Sequence, residues 1–108
     1  MQYQVQWTQE FQNQYHKLTR KNKSLQERLD KKIAQIIKTP ELGDPKRHDL
    51  KYTRGAHVDP FVIVYLILGR TILFLYVAHH KRVYEEAPRV LDNVKHEFPA
   101  LWALLPKK

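Results

Sequence analysis

The sequence predicts an α+β domain: an N-terminal strand, an antiparallel helical hairpin, about three mainly antiparallel strands forming one sheet, and a short C-terminal helical tail. Three observations predict it. Tyr3, Val5 and Trp7 alternate with glutamines, a period of two that puts one apolar face inward. From Trp7 to Ile37 the apolar residues recur every three or four positions, the helical period. Beyond Pro45 the pattern becomes dense runs of Val, Ile, Leu and aromatics, as in well-covered strands. Strands segregated from helices in this way indicate α+β, with the helices expected on one sheet face.

Each element has its own local signal. Trp7, Phe11, Tyr15 and Leu18 form the stripe of a first helix, and the Thr8 hydroxyl is placed to cap it. Arg20–Lys23 is polar and suits the turn of the hairpin. Ser24 and Glu27 have capping-box spacing, ahead of a second stripe made by Leu25, Leu29, Ile33, Ile36 and Ile37. Pro40 ends that helix, because a residue before proline is pushed out of the helical region. Thr39–Pro45, with two prolines and Gly43, reads as a loop. His48–Tyr52 is expected as a strand, with Arg54–Val58 continuing it or opening another. Phe61–Leu68 has no alternation, as a strand covered on both faces would have none. Gly69-Arg70 then fits a type II′ hairpin into Thr71–Ala78, since glycine takes the required positive φ at little cost. Pro88–Phe98 is expected as a short helix. The apolar segment Leu101, Trp102, Leu104 and Leu105 either completes the core or forms an exposed patch.

Composition bounds the function. The 108 residues are 43% hydrophobic and 28% charged, which suits one domain over residues 1–108. Nineteen Lys and Arg against 11 Asp and Glu give a net charge of +8, an excess that attracts nucleic acid, anionic membranes or an acidic protein. Between His16 and Lys38, eight basic residues face two acidic ones. Further basic groups are Lys46, Arg47, Lys51 and Arg54, then Lys81, Arg82 and Arg89. Cationic groups on separate elements favour phosphate binding through counterion release. There is no cysteine, which excludes disulfides and thiol chemistry. The longest apolar run, Phe61–Leu68, is far short of the roughly 20 residues of a membrane span. The amino end has neither the basic nor the apolar part of a secretion signal, so a cytoplasmic protein without membrane contact is expected.

Six histidines are the most chemically informative residues. His48, His57 and His80 lie in or beside the late strands, close to the basic side chains. Imidazole serves as base and acid near neutrality, and RNA cleavage by its own 2′-hydroxyl needs those two roles plus a cation, with no metal. His79 and His80 are adjacent, so on a regular strand only one of them joins a common site. The histidine spacings match no zinc pattern, so neither a metal nor a cofactor is expected. Isolated glycines exclude the common phosphate-cradling loops.

The order of elements and the late motifs resemble the RelE/ParE toxin superfamily of type II toxin–antitoxin modules, from about Tyr3 to Tyr84, leaving residues 85–108 as an extension. The likeness is greatest to the YafQ-like branch. It rests on His48-Asp49-Leu50, His57-Val58-Asp59-Pro60, the strand Phe61–Tyr65, and His80 followed by Tyr84. The YafQ pattern has an Asp-Trp pair after the proline, whereas here Phe61 follows directly; either Asp59 supplies the acidic group or the site works without one. The resemblance implies a ribosome-dependent mRNA endoribonuclease. His80 is then the general acid, and His57 and His48 are the base or the groups that position the 2′-hydroxyl and phosphate. Tyr84 stacks on a base or orients the substrate, and Lys51, Arg54, Lys81 and Arg82 are its cation candidates. The implied partners are an acidic antitoxin in a hetero-oligomer, the 70S ribosome and mRNA, with the free toxin monomeric. The alternatives are a ParE-like, non-enzymatic DNA gyrase inhibitor and a non-catalytic basic RNA-binding protein.

Overall fold

The computed structural model describes residues 2–46 and 50–105. In chain order these form β1 (Gln4–Trp7), α1 (Gln9–Thr19), α2 (Lys23–Lys38), a 3-10 turn (Pro40–Leu42), β2 (Asp44–Pro45), β3 (Thr53–Val58), β4 (Phe61–Leu68), β5 (Thr71–His79), α3 (His80–Glu97) and α4 (Pro99–Trp102). The strands make one sheet in the order β1-β5-β4-β3-β2. β1 runs parallel to β5, and every other pair is antiparallel.

Thr8 joins the first strand to the first helix and both to the sheet. Its hydroxyl oxygen accepts from the Phe11 N–H (2.9 Å), capping α1, while the hydroxyl donates to the Leu75 carbonyl (2.6 Å). Its own N–H donates to the Phe74 carbonyl (3.1 Å). Leu75 is the extra residue of a bulge: Val64 lies opposite Tyr76 and Tyr65 opposite Phe74, so Leu75 has no partner on β4. Thr8 thus satisfies a carbonyl next to the break in the ladder.

One sheet face packs on the helical hairpin. Phe11 from α1 and Leu25, Leu29, Ile33 and Ile36 from α2 are buried with Ala56, Val58, Ile63, Tyr65, Ile72, Phe74 and Val77. Trp7 stacks on Phe74 with centroids 4.7 Å apart. The Tyr15 hydroxyl donates to Asp30, clasping the two helices. The α2 cap is Asn22, whose Oδ1 accepts from the Leu25 N–H (3.0 Å), rather than Ser24. A cap at Asn22 lets its own N–H reach the Thr19 carbonyl (3.0 Å), which closes the hairpin in a tighter turn.

The opposite face is also covered, in contrast to the expected single helical layer. Val83, Ala87, Val90 and Val94 of α3 are buried against Val62, Val64, Leu66, Leu68, Leu73, Leu75 and Ala78, with Phe98, Leu101, Trp102 and Leu105 partly buried at the border. The helix therefore begins at His80, eight residues before Pro88, and that proline lies inside it. An interior proline removes a hydrogen bond and costs ~3 kcal/mol, but the continuous apolar stripe on both sides of it outweighs that local penalty.

Two further elements differ from expectation. Lys51 and Tyr52 form a turn, and of the expected strand His48–Tyr52, His48 and Asp49 lie outside the described residues. Tyr52 has φ 76°, which is incompatible with a strand, and the Thr53 hydroxyl donates to the Leu50 carbonyl (2.6 Å), holding the turn. The short strand β2 adds an edge beside β3. The Gly69-Arg70 hairpin forms as expected, with Gly69 at φ 60°. Among the described residues no helix is long and apolar enough to cross a membrane.

Thr8→Val removes the cap and leaves the Leu75 carbonyl buried and unpaired. We expect a loss of about 2 kcal/mol, read as a lower urea midpoint at unchanged slope, with Thr8→Ser retaining most of the stability.

Candidate active site

Of the predicted residues, His57, Asp59 and His80 lie at the sheet end where β3 turns into β4 and β5 runs into α3. Two hydrogen bonds fix that turn from opposite sides. Arg28 of α2 donates from Nη2 to the Asp59 carbonyl (2.6 Å), and the His80 N–H at the start of α3 donates to the Pro60 carbonyl (2.9 Å). The β3–β4 turn and the first residue of α3 are therefore held as one unit.

His57 lies opposite Val62, and Val62 opposite Ala78. Val62 and Ala78 belong to the α3-side core, so His57 projects on that face. Two strand spacings, about 10 Å, separate the His57 and Ala78 backbones. The His57 side chain is half exposed (51%), and Asp59 is open to solvent. Asp59 Oδ1 is 4.0 Å from His57 Nδ1, beyond hydrogen-bond reach but on the Nδ1 side of the ring. Nε2 lies on the ring edge away from that contact, the atom through which a neutral imidazole with its proton on Nδ1 would accept a substrate proton.

His79 ends β5 instead of sharing a continuing strand with His80. Its Nδ1 accepts from the Lys81 N–H (3.1 Å) as the α3 cap, and its ring stacks on that of His80 with centroids 4.5 Å apart. His80 is exposed and stands one turn before Tyr84 on the same side of α3. Tyr84 is 40% exposed. One side of its ring carries Lys46, whose Nζ lies 5.0 Å from the centroid.

The cation candidates separate. Lys81 is exposed beside His80, and Lys51 lies in the turn before β3, its Nζ 5.3 Å from the Tyr52 centroid. Arg54 lies opposite Tyr65, on the hairpin face, and donates from Nη1 to the Gly43 (2.7 Å) and Glu41 (3.1 Å) carbonyls. It is turned away from His57 and holds the 3-10 turn. Arg82 pairs with Glu86 (3.0 Å) on the α1-facing side of α3, where Tyr76 also donates to Glu86 and Arg89 pairs with Glu10 (2.6 Å). The hydrogen bonds from Tyr76 and then Arg82 hold the Glu86 carboxyl below its ordinary range. Burial, followed by the bond to Glu86, pushes the Tyr76 phenol up to about 12. Among the described residues no three His, Asp or Glu side chains converge as a metal site.

The sequence matches a family described as the ParE toxin of the type II toxin–antitoxin system, parDE, over residues 5–84. The chain belongs to the ParE toxin family. Solved toxin structures share its fold. An arginine double mutant of the Escherichia coli toxin RelE in the free state is similar, with TM-score 0.65 and 18% identity over 82% of this chain and 97% of that one. YafQ from E. coli strain BL21(DE3) is similar with TM-score 0.62 and 19% identity, over 77% of this chain and 99% of the other. The RelBE2 toxin–antitoxin complex of Mycobacterium tuberculosis gives TM-score 0.57 and 23% identity, over 74% of this chain and 100% of the matched one. No curated protein sequence matches this toxin significantly.

Sequence reasoning did not assign the toxin's Arg28, Lys46 or His79 a place at this site. Arg28 and His79 carried no signal, since their roles depend on packing between distant elements. For Lys46 there was one: Gly55 stands alone inside a strand, and such a glycine marks close approach by another group. A Cβ at Gly55 would lie 2.6 Å from Lys46 Cε.

The elevated Tyr76 pKa sets a pH dependence of known sign. The folded toxin holds the phenolic proton more tightly than the unfolded chain, so the contribution is complete below pH 10 and is lost as pH rises from 10 through about 12. The stability difference between wild type and Tyr76→Phe should therefore shrink over that window, as read from urea midpoints.

Proposed function

We propose that this toxin is a metal-independent endoribonuclease that cuts mRNA on the 70S ribosome in the cytoplasm. The observation that carries the reading is the single rigid unit bearing His57 and His80, made by the His80 N–H to Pro60 carbonyl bond across the β3–β4 turn. Two imidazoles at one end of a sheet supply a base and an acid near neutral pH. His57, with Nε2 outward and Asp59 on its other side, takes the proton of the 2′-hydroxyl or positions that group with His48. The 2′-oxygen attacks the adjacent phosphorus, and the P–O5′ bond breaks. His80 protonates the departing 5′-oxygen, leaving a 2′,3′-cyclic phosphate and a free 5′-hydroxyl. Tyr84 offers its uncovered ring face to a base, and the exposed Lys51 and Lys81 are cations for the backbone. Arg82 and Arg54, bonded elsewhere in the toxin, have the weaker claim.

An acidic antitoxin fits the same surface. The net charge of +8 attracts an acidic chain, and covering His57, His80 and Tyr84 would block the site. We assign the free toxin as a monomer that forms a hetero-oligomer with its antitoxin. A second reading is ParE-like inhibition of DNA gyrase by binding alone; what supports it is that the matching family is described as a ParE toxin.

Translation of a defined mRNA with and without the toxin separates the two. Under the endoribonuclease reading, primer extension shows cuts only on translated message. His80→Ala and His57→Ala each slow cleavage about 10²- to 10⁴-fold, the usual worth of a general acid or base. Intact message, with toxicity surviving both substitutions, would overturn this reading in favour of gyrase.

A further inference from the structure

We propose that Lys46, laid across Gly55 and Tyr84, is the phosphate-binding cation of the site and takes a phosphodiester of single-stranded RNA. The inference rests on the endoribonuclease reading and adds the group that grips the substrate backbone. Gly55 and His57 are two residues apart on β3, on the same face, with about 7 Å between their positions. Because Gly55 has no side chain, the Lys46 stem crosses the strand there: a Cβ would meet Cε at 2.6 Å and Nζ at 3.4 Å. The ammonium ends 5.0 Å from the Tyr84 ring centroid. Tyr84 and His80 are one helical turn apart, so Lys46 lies between the wall bearing His57 and the wall bearing His80.

Among the described residues, the charge is also uncommitted: the ion pairs occupy Arg82, Arg89 and Lys95, and none includes Lys46. A cation held by a ring face keeps its N–H donors directed outward, whereas one paired with a carboxylate would first have to exchange partners. A phosphate on Lys46 places the neighbouring ribose along β3 toward His57 and lets the attached base lie against Tyr84. The arrangement suits single-stranded RNA, in which bases are free to stack on an aromatic ring.

The test is binding of the full-length toxin to a short single-stranded RNA with 2′-O-methyl riboses, which cannot cleave itself. Affinity is measured by fluorescence anisotropy over a series of salt concentrations. Removing one phosphate contact lowers the slope of log K against log salt by about 0.7. We expect that drop for Lys46→Met, recovery of the wild-type slope for Lys46→Arg, and a drop for Gly55→Ala, whose methyl displaces the lysine stem. Urea midpoints report whether each variant stays folded. Wild-type binding with an unchanged slope in folded Lys46→Met overturns this inference and leaves the endoribonuclease reading standing. Failure of the wild type to bind the RNA at low salt also overturns this inference, whereas the endoribonuclease reading falls only if message stays intact in the translation assay.

Discussion

The fold depends on one buried hydroxyl. Thr8 is fully buried at the junction of β1, α1 and the β5 bulge, and it hydrogen-bonds in three directions. Without it, the β5 ladder would have a desolvated carbonyl and α1 would begin with an orphan donor. Since the bulge lets both Leu75 and Tyr76 enter the α3-side core, the same residue controls how β5 presents side chains to the second helical layer. A short local motif at the amino end thus governs contacts nearly seventy residues further along the chain.

Most of the sheet and the helical hairpin were legible in the sequence because their signals are local. Thr8 as a cap, Pro40 as a stop, Gly69 at a positive φ and the run Phe61–Leu68 each follow from a few neighbouring residues. The second helical layer was half legible. A strand with no polar alternation requires cover on both faces, and that requirement was present in Phe61–Leu68. The cover itself was obscured by Pro88, which marks a helix start in most contexts; the stripe beginning at Val83 overrides it. Only the fold context decides between those signals.

The candidate site could be named from the sequence by residue type, whereas its arrangement belongs to the fold. His57, Asp59, His80 and Tyr84 do lie at one end of the molecule, because the hairpin turn and the β5–α3 junction adjoin there. Arg54 could not be placed from sequence, since a strand residue faces one side or the other according to register. The division of charge is equally a tertiary property. The α1-facing side of α3 neutralises its arginines with Glu10 and Glu86, while the β3-facing side leaves a lysine on a ring. One helix therefore has a self-satisfied flank and a flank whose donors remain available.

The outer strand β2 has a consequence for the protein in solution. It contains only Asp44 and Pro45, and proline offers no N–H to a neighbour. A charged residue and a proline at a sheet border block the edge-to-edge pairing by which β-rich chains polymerise. The interior strands are almost wholly apolar and would aggregate if they lay at an exposed margin. Placing them at the centre, with a blunt two-residue strand outside, keeps a sticky sheet from growing by addition of further copies on that side.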